Sequence, residues 1–253
     1  MYKDRSERIV ATIEARMTST RLPGKVLMPL VGKPVLQHII ERLQRSQYVD
    51  VICLATTTNK TDDPTAALAE DLGVAVFRGS EEDVLGRVLG AAQSVRADLI
   101  VEVSGDCPAI DHRDIDRGIE EFFKSGAEYV ANNIEATYPT GGFEVIIFRT
   151  SALAEVAAIV KEPIYRTHVS YYFATHPEKY RQQNFKAPLK ATAPELRVVL
   201  DEKADYELLN KVFESLYPLT PDFGAEDVVQ FLKANPQVAA LNSNVRRKKA
   251  HEL

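Results

Sequence analysis

The sequence predicts an α/β fold, in which a mostly parallel central sheet carries helices on both faces. Two observations lead to this prediction. Short apolar runs alternate with segments of helical period through the first half of the chain, and no internal repeat interrupts that alternation. Because a strand, a crossover helix and the next parallel strand connect in the right-handed sense, such a chain builds one layered sheet.

The first half of the chain supplies most of the predicted sheet. The predicted strands are Ile9–Ile13, Val49–Ala55, Val74–Phe77 and Leu99–Val103. The predicted helices are Pro34–Leu43, Pro64–Leu72, one that starts at Ser80, and one from a cap at Asp111 to Gly126. In the first helix, the apolar residues at 35, 36, 39, 40 and 43 fall on one helical face, and proline suits a first turn. Asp83, three residues after Ser80, resembles a capping box.

The pattern changes after residue 129. Residues 129–148 read as a strand, a glycine-containing turn and a second strand, and further elements follow: helices Thr150–Val160 and Tyr165–Ala174, strand Leu196–Leu200, and helices Lys203–Leu216 and Ala225–Lys233. We expect one domain over residues 1–240. Residues 241–253, with basic residues at 246–249, are expected to form a flexible, solvated tail.

Composition excludes several classes of protein. A chain of 253 residues with 45% hydrophobic content suits one large globular domain that needs no disulfides. Its two cysteines form no CxxC or Cys/His cluster, which argues against a structural zinc site. A net charge of -5 argues against nucleic-acid binding. No apolar run is long enough to span a bilayer and the N-terminus has no signal-peptide core, so we expect a cytoplasmic protein.

The loop directly after the first strand, residues 14–25, has the sequence EARMTSTRLPGK. Loops at the carboxyl ends of parallel strands are where such sheets bind ligands. Arg16, Arg21 and Lys25, together with hydroxyl side chains and a glycine, suit a polyphosphate. The loop is not a Walker A motif, because Ser19 stands at its first glycine position, and no GxGxxG follows the strand. The alternative interpretation is an ordinary solvated basic loop.

Two carboxylates are expected at the same edge of the sheet. Asp106 follows the strand that ends at residue 103, and Asp201 follows the predicted strand Leu196–Leu200. Facing a basic loop, they suit a Mg²⁺ ion that bridges a nucleotide to the protein. Asp106 has an alternative interpretation as a turn residue, and Asp205 is better explained as a first-turn helix residue.

The other candidate residues are interpreted as structural rather than catalytic. Asp114 and Asp116 match a DxD pattern but fall within a predicted helix, where they do not share a face. His38, His112 and His176 are interpreted as structural or surface residues. No serine or cysteine has an evident histidine partner, which leaves a triad hydrolase without support.

The chain resembles the cytidylyltransferases that activate sugar acids, and within them the branch named after spore coat polysaccharide biosynthesis protein F. The resemblance begins with IEARMTSTRLPGKVLMPLVGKPVLQHIIERL. It continues in order through LATTTNKTDDP, FRGSEEDVLGRV, VEVSGDCPAID, YPTGGFEV, YRTHVSYY and LRVVLDEKADYELL. It implies a nucleotide-diphospho-sugar transferase fold, and the reaction of CTP with a sugar acid to give a CMP-sugar and pyrophosphate, with Mg²⁺ as cofactor.

The resemblance also implies roles for individual residues. The implied catalytic residues are Arg16, Lys25 and Asp106. Those implied to bind the nucleotide are Ala15, Arg16, Ser19, Arg21, Lys25, Arg78 and Ser80, and those implied to hold the metal are Asp106 and Asp201. Residues of the acceptor side are Glu144, Arg166 and His168. Family members are usually homodimers, and here residues 129–185 would form a small β-rich dimerisation arm.

The chain departs from the family pattern at three places. Glu14 stands where the family usually has Gln or Pro, Thr167 stands where this branch more often has Glu, and YPTGGFEV is a compressed form of the usual spacing. These departures leave the acceptor open. The alternatives are a nucleotidyltransferase that uses another nucleoside triphosphate or a sugar 1-phosphate, and a catalytically silent nucleotide-binding homologue.

Overall fold

A computed structural model describes residues 6–246 of the chain. The strands, in chain order, are β1 Ile9–Glu14, β2 Pro29–Leu30, β3 Lys33–Pro34, β4 Val51–Thr57, β5 Ala75–Gly79, β6 Leu99–Ser104, β7 Tyr129–Ala131, β8 Ile146–Arg149 and β9 Gln182–Asn184. The helices are α1 Val35–Leu43, α2 Asp63–Asp71, α3 Val84–Ser94, α4 His112–Ser125, α5 Thr150–Ile159, α6 Pro163–Thr167, α7 Tyr171–Thr175, α8 Lys203–Leu216, α9 Ala225–Ala234 and α10 Pro236–Ala239.

Seven strands form one sheet in the order β5-β4-β1-β6-β8-β7-β9. The first four are parallel to one another, whereas β8 runs antiparallel to both β6 and β7. This confirms the predicted mostly parallel sheet. The carboxyl ends of β1, β4 and β6 meet at one edge, where Glu14 is level with Ala55 on one side and with Ser104 on the other.

Each face of the sheet buries a separate hydrophobic core. Ile9, Ala11 and Ile13 belong to the core under α1, α4, α8 and α9, whereas Val10 belongs to the core under α3, α5 and α7. Successive side chains of a strand point to opposite faces, so this division follows from the strand geometry. Helices therefore cover both faces, as predicted. Glu14 is four residues after Val10 in β1, so its side chain points to the same face of the sheet, the one that α3 covers.

The predicted strand Leu196–Leu200 is wrong. This segment is extended and Val198 and Leu200 are fully buried, but only Arg197 forms an isolated bridge, with Thr140. Both edges of β6 are already paired, with β1 and β8. The apolar run therefore packs beneath the loops, and the Leu200 amide donates to the Asp106 carbonyl at 2.9 Å. Asp201 nevertheless lies beside Asp106, because this hydrogen bond between loops, rather than a strand, positions it.

Several boundaries also differ from the prediction. The helix predicted from Ser80 begins at Val84, because Asp83 is its N-cap and accepts a hydrogen bond from the Gly86 amide at 2.9 Å. Ser80 instead accepts from the Asp83 amide in the preceding turn. The helix predicted over residues 165–174 is split between α6 and α7. The β2–β3 hairpin, β9 and α10 were not predicted.

Residues 129–185, predicted to form a β-rich dimerisation arm, contribute β7, β8 and β9 to the edge of the central sheet and α5, α6 and α7 beside them. Their part in dimerisation stays a prediction. Of the predicted tail, residues 247–253 lie outside the described residues. Over residues 6–246, none of the helices combines the length and the apolar composition needed to cross a membrane.

Candidate active site

The loops that follow β1 and β6 pack directly against each other at the carboxyl edge of the sheet. The Gly105 amide donates to the Glu14 carbonyl oxygen at 2.8 Å. A Cβ atom at residue 105 would lie 2.7 Å from that same oxygen, so a side chain there would push the loops apart. Glycine at this position is what brings Asp106 up to the basic loop after β1.

Lys25 is the centre of the resulting cluster. Its Nζ atom lies 2.8 Å from Asp106 Oδ2, 3.0 Å from Asp201 Oδ1 and 2.8 Å from the Leu200 carbonyl oxygen. Burial opposes the charge on Lys25, but the two aspartates outweigh it and raise its pKa above the usual value. Burial likewise opposes the charge on Asp106, and Lys25 outweighs it, so the pKa of that carboxyl is lowered. Lys25 and Asp106 are therefore both charged at neutral pH.

Asp201 is held by two further cations. Arg21 lies 3.1 Å from Oδ1 and Arg197 lies 3.0 Å from Oδ2. Arg197 also contacts Asp205 at 3.0 Å, and the Asp205 carboxylate accepts from the Glu202 amide at the start of α8. Asp205 is thus a capping residue, as its position in the sequence predicts.

Arg16 is paired with a carboxylate that the sequence did not single out. Its Nη1 atom lies 3.0 Å from Glu81 Oε1, and Glu81 also accepts hydrogen bonds from Thr18 and Asn59. The hydrogen bond from Thr18 is the main cause of the lowered pKa of Glu81. Glu81 thus pairs with the guanidinium group of Arg16 that a bound phosphate would contact. Glu81 also connects the loop after β1 to the loop after β5.

Lys25, its two aspartate partners and Arg16 line a cavity of ≈ 440 Å³, here called the basic cavity. Its charged lining consists of Arg16, Arg21, Lys25 and Arg87 with Glu14, Asp106 and Asp201, and the predicted residues Ala15 and Ser19 also line it. Arg87 was missed in the sequence because it looks like an ordinary residue of α3. It is buried, with Nε 3.2 Å from the Ala55 carbonyl oxygen.

Three predicted site residues line neither this cavity nor the one that adjoins it. Arg78 donates to the Thr57 and Asn59 carbonyl oxygens, both at 2.8 Å, and pairs with Asp63. Ser80 lies in the turn before α3. Arg166 pairs with Asp83 and donates to the Ala157 carbonyl oxygen at 3.1 Å. Hydrogen bonds within the protein thus occupy the side chains of all three.

A second cavity of ≈ 520 Å³ adjoins the first and is here called the acidic cavity. Glu14, Ser104, Thr167 and His168 line both cavities and form their boundary. The acidic cavity also contains Glu102 and the predicted acceptor-side residue Glu144. Among the described residues that line it there is no lysine or arginine. Tyrosine and amide side chains also line it: Tyr129, Tyr171, Asn133 and Gln182.

Glu14 and Glu102 are in contact on neighbouring strands and share a hydrogen bond. Burial raises the pKa of Glu14 to about 7, Arg87 opposes this rise, and Asp106 adds to it. Burial and the nearby Glu14 raise the pKa of Glu102 well above its usual value. The two carboxyls therefore hold a proton that Asp106 does not. Glu102 was missed because only the pairing of β1 with β6 brings it beside Glu14.

The residues that could hold a metal are Asp106 and Asp201. Their carboxylates converge on one point, the Lys25 ammonium, and their oxygens are the ligand type that Mg²⁺ prefers. Over the described part of the chain, no group of three or more histidine, cysteine or acidic side chains is arranged around a metal position. The pair fits an ion that takes its remaining ligands from water and from substrate phosphates.

The weaker candidates from the sequence have structural roles. Asp114 accepts from Tyr138 at 2.6 Å, and Asp116 accepts from the Gln47 amide at 3.1 Å, so the two side chains of the DxD pattern serve different contacts. His38 Nε2 is 2.7 Å from the Leu30 carbonyl oxygen, His112 contacts Asp222, and His176 stacks on Tyr172.

Comparisons with known proteins identify the family. A family model described as "Cytidylyltransferase" matches residues 10–235. The chain is 34% identical over 240 residues to spore coat polysaccharide biosynthesis protein SpsF of Bacillus subtilis, covering 91% of this chain and 96% of that protein. It is 37% identical over 115 residues to 3-deoxy-manno-octulosonate cytidylyltransferase of Trichlorobacter lovleyi, covering 45% of this chain and 44% of that one.

A solved structure extends the likeness to the whole fold. The cytidylyltransferase from Leptospira borgpetersenii superposes with a TM-score of 0.87 at 30% identity, covering 96% of this chain and all of that one. The family model spans most of the chain and its matched range contains every residue of the Lys25 cluster. The protein is thus a nucleotidyltransferase, and it belongs to the cytidylyltransferase family.

Proposed function

We propose that this enzyme transfers CMP from CTP to a hydroxyl group of a sugar acid, of the nonulosonic or octulosonic type, and releases pyrophosphate. The observation that carries the proposal is the Lys25 ammonium, which bridges Asp106 and Asp201 in a cavity that Arg16 and Arg21 also line. The acceptor class rests on the names of two relatives, spore coat polysaccharide biosynthesis protein SpsF and 3-deoxy-manno-octulosonate cytidylyltransferase. Surface polysaccharide biosynthesis is the proposed setting.

The basic cavity suits a triphosphate because its four cations approach from two separate elements. Arg16, Arg21 and Lys25 belong to the loop after β1, and Arg87 approaches from α3. Arginine forks match phosphate oxygens, and lysine supplies a point charge on a mobile stem. In the proposed complex, the phosphates would replace Glu81 on Arg16 and would draw Lys25 away from the two aspartates.

Asp106 and Asp201 are the residues proposed to hold Mg²⁺. When bound, the ion would polarise the α-phosphate and lower the pKa of the attacking hydroxyl. The remaining contribution comes from the protein: its cations stabilise the negative charge that builds up on the departing pyrophosphate. A bond forms between the acceptor oxygen and the α-phosphorus, the bond from that phosphorus to the bridging oxygen breaks, and the bridging oxygen leaves with pyrophosphate. The proton of the acceptor hydroxyl passes to solvent water.

The boundary between the cavities gives the proposed reaction its geometry. Ser104, Thr167 and His168 line both cavities, so an acceptor in the acidic cavity can reach a nucleotide in the basic cavity. Holding the two substrates in adjoining sites converts a bimolecular step into an effectively unimolecular one. The proposal places the enzyme in the cytoplasm, where CTP is available, and as a homodimer through residues 129–185. Sedimentation velocity would test the second point, and a monomer would contradict it.

The test is Mg²⁺-dependent release of pyrophosphate from CTP, with UTP, GTP and ATP as controls. The acceptors are sialic, legionaminic, pseudaminic and manno-octulosonic acids, and several sugar 1-phosphates. We expect release with CTP and a sugar acid only. Release only with a sugar 1-phosphate, or with another nucleotide, would move the protein to the corresponding class of nucleotidyltransferase. CTP binding by calorimetry without release on any acceptor would support a silent nucleotide-binding homologue.

A further inference from the structure

We propose that Arg197 and Asn242 are positioning residues for Asp201, and that they keep one oxygen of its carboxylate directed into the basic cavity. This inference rests on the proposed function, because it takes Asp201 as one of the two residues that hold Mg²⁺. It goes further by assigning Asp201 a support from outside the cavity, which includes the C-terminal part of the described chain. The argument uses the contacts of Asp201, the hydrogen bonds of Asn242 and the charges around Arg197.

The two carboxylate oxygens of Asp201 face different groups. Oδ1 lies 3.0 Å from Lys25 Nζ and 3.1 Å from Arg21 Nη2, and both of these cations line the basic cavity. Oδ2 lies 3.0 Å from Arg197 Nη2, and Arg197 lines neither cavity. In the proposed complex the phosphates attract the cations of the cavity, so the contact with Arg197 is the one that Asp201 keeps. That contact leaves Oδ1 free to face the cavity.

Asp205 fixes both the guanidinium group of Arg197 and the backbone of Asp201. Arg197 Nε lies 3.0 Å from Asp205 Oδ1, and Nη2 lies 3.2 Å from Oδ2. Asp205 Oδ2 also accepts from the Asp201 amide at 3.1 Å. A guanidinium group is planar and its donors form a rigid fork, so the two contacts with Asp205 set the direction in which Nη2 meets Asp201. Asp205 thus orients Asp201 in addition to capping α8.

Asn242 holds this arrangement from the 3₁₀ helix Ala240–Asn242. Although residue 242 falls in the predicted tail, only 3% of its surface is exposed. Its Nδ2 atom lies 2.8 Å from Asp205 Oδ1 and 3.1 Å from the Arg197 carbonyl oxygen. The side-chain amide has two N–H donors, one for each acceptor. Without Asn242, the fully buried carboxylate of Asp205 would lose a donor, and its hold on Arg197 would loosen.

The charges of this group preserve the negative charge of Asp201. Arg197 carries one positive charge and contacts two carboxylates, those of Asp201 and Asp205. Because Asp205 balances that charge, Arg197 can orient Asp201 without cancelling its charge. A cation that faced Asp201 alone would compete with a metal ion for it. The arrangement therefore suits a carboxylate that is fixed in place and still able to bind a cation.

The experiment measures the binding of Mn²⁺, used as a probe for Mg²⁺, in the presence of a non-hydrolysable CTP analogue. The electron paramagnetic resonance signal of free Mn²⁺ gives the dissociation constant without any reaction. We expect Asn242→Ala to raise this constant about fivefold, the effect of one hydrogen bond. In steady-state assays the variant should also need more Mg²⁺ for its half-maximal rate. Saturating Mg²⁺ should return kcat to within about twofold of the wild type.

Asn235→Ala is the matched control for a merely structural role. Asn235 lies in the same part of the chain, and its Nδ2 atom donates to the Phe231 carbonyl oxygen at 2.9 Å. Both substitutions therefore remove hydrogen bonds from an asparagine amide to backbone, and thermal unfolding should show a loss of stability in both. The Mn²⁺ dissociation constant should change in Asn242→Ala alone. An equal constant in Asn242→Ala and the wild type would overturn the proposal.

Arg197→Lys tests the second positioning residue, and it provides the result if Asn242→Ala does not fold. Lysine keeps the charge but not the fork, so it cannot hold Asp201 and Asp205 in the same geometry. We expect the Mn²⁺ dissociation constant to rise by about tenfold or more. A rise of less than about twofold would remove Arg197 from the proposed role.

Asp201→Asn separates this proposal from the proposed function. Glu207→Gln, which removes a negative charge from the exposed surface of α8, is its control and should leave Mn²⁺ binding unchanged. Binding that depends on Asp201 but on neither Asn242 nor Arg197 would overturn the positioning role and leave the proposed metal site in place. Binding that Asp201→Asn does not weaken would overturn the assignment of Asp201 to the ion, and this proposal with it.

Discussion

The basic and acidic cavities adjoin at the ends of β1 and β6, yet the pKa values of their carboxyl groups are shifted in opposite directions. In the basic cavity, Asp106 is surrounded by cations and its pKa is lowered. In the acidic cavity, the pKa values of Glu14 and Glu102 are raised. Burial acts in the same direction on all three groups. The difference shows that the position of Lys25, rather than the degree of burial, decides which carboxyls are charged.

This difference has a consequence for binding. The cluster around Lys25 is balanced within the protein, so a nucleotide must replace existing ion pairs such as the one between Arg16 and Glu81. The pair of Glu14 and Glu102 is held together by a shared hydrogen bond and a proton, with no lysine between the two carboxyls. The two cavities therefore present differently charged surfaces at one sheet edge.

The largest effect is expected from Lys25→Ala. The substitution removes the residue proposed to bind the phosphates and leaves Asp106 and Asp201 repelling each other and the incoming nucleotide. We expect kcat/KM for CTP to fall by at least about 100-fold, or ~2.7 kcal/mol. Steady-state pyrophosphate release measures this, with thermal unfolding to confirm that the variant is folded. Lys33→Ala is the matched control, because Lys33 pairs with Glu41 away from both cavities. A loss of less than about tenfold would remove Lys25 from the proposed role.

The next effect is on stability and its dependence on pH. Because the folded-state pKa of Glu14 is about 7, above the unfolded value of 4.5, the native state loses stability as pH rises through this window. Glu14→Gln removes this loss. The variant should match the wild type near pH 4 and exceed it by on the order of 1–3 kcal/mol at pH 8. Urea unfolding at several pH values measures the difference, and Glu207→Gln should show none. An equal pH dependence in Glu14→Gln would mean that Glu14 titrates normally.

The sequence predicted the basic cavity better than the acidic one, and the reason is physical. The loop after β1 holds three cations within ten residues, so local spacing was enough to predict a phosphate site. Glu102 and Glu81 become site residues only through contacts with residues far away in the chain, Glu14 and Arg16. No local pattern marks such contacts.

The fold shows the same limit. Periodicity predicted the parallel strands and most helices, because each is a local pattern. It failed at Leu196–Leu200, where an apolar run has the composition of a strand but finds no free sheet edge. Asp201 was nevertheless placed correctly beside Asp106, because the contact from Leu200 to Asp106 brings it there. The sequence therefore predicted the neighbour of Asp201 correctly from a strand that the structure does not contain.

A smaller effect is expected from His168→Ala. His168 lines both cavities, so its imidazole is placed to contact an acceptor whose hydroxyl faces the nucleotide. Loss of one hydrogen bond of about 1 kcal/mol should raise the KM for the acceptor about fivefold, with less change in the KM for CTP. Initial rates with each substrate varied in turn separate the two constants. An increase in the KM for CTP alone would assign His168 to the basic cavity.

The smallest effect is expected from Arg166→Ala, although the sequence placed Arg166 on the acceptor side together with His168. Arg166 pairs with Asp83, the N-cap of α3, and donates to the Ala157 carbonyl oxygen of α5, so it ties α6 to both helices. Its substitution should change the KM for the acceptor by less than about twofold, and should lower stability by about 0.2–1 kcal/mol, as expected of a partly exposed ion pair. Asp83→Ala should cost more than Arg166→Ala, because it also removes the N-cap of α3, and the two losses should add to more than the double variant shows, because both substitutions remove the same ion pair. A rise in acceptor KM comparable to that of His168→Ala would instead mean that Arg166 leaves Asp83 when the acceptor binds, and would give the acidic cavity an arginine that it does not have in the described structure.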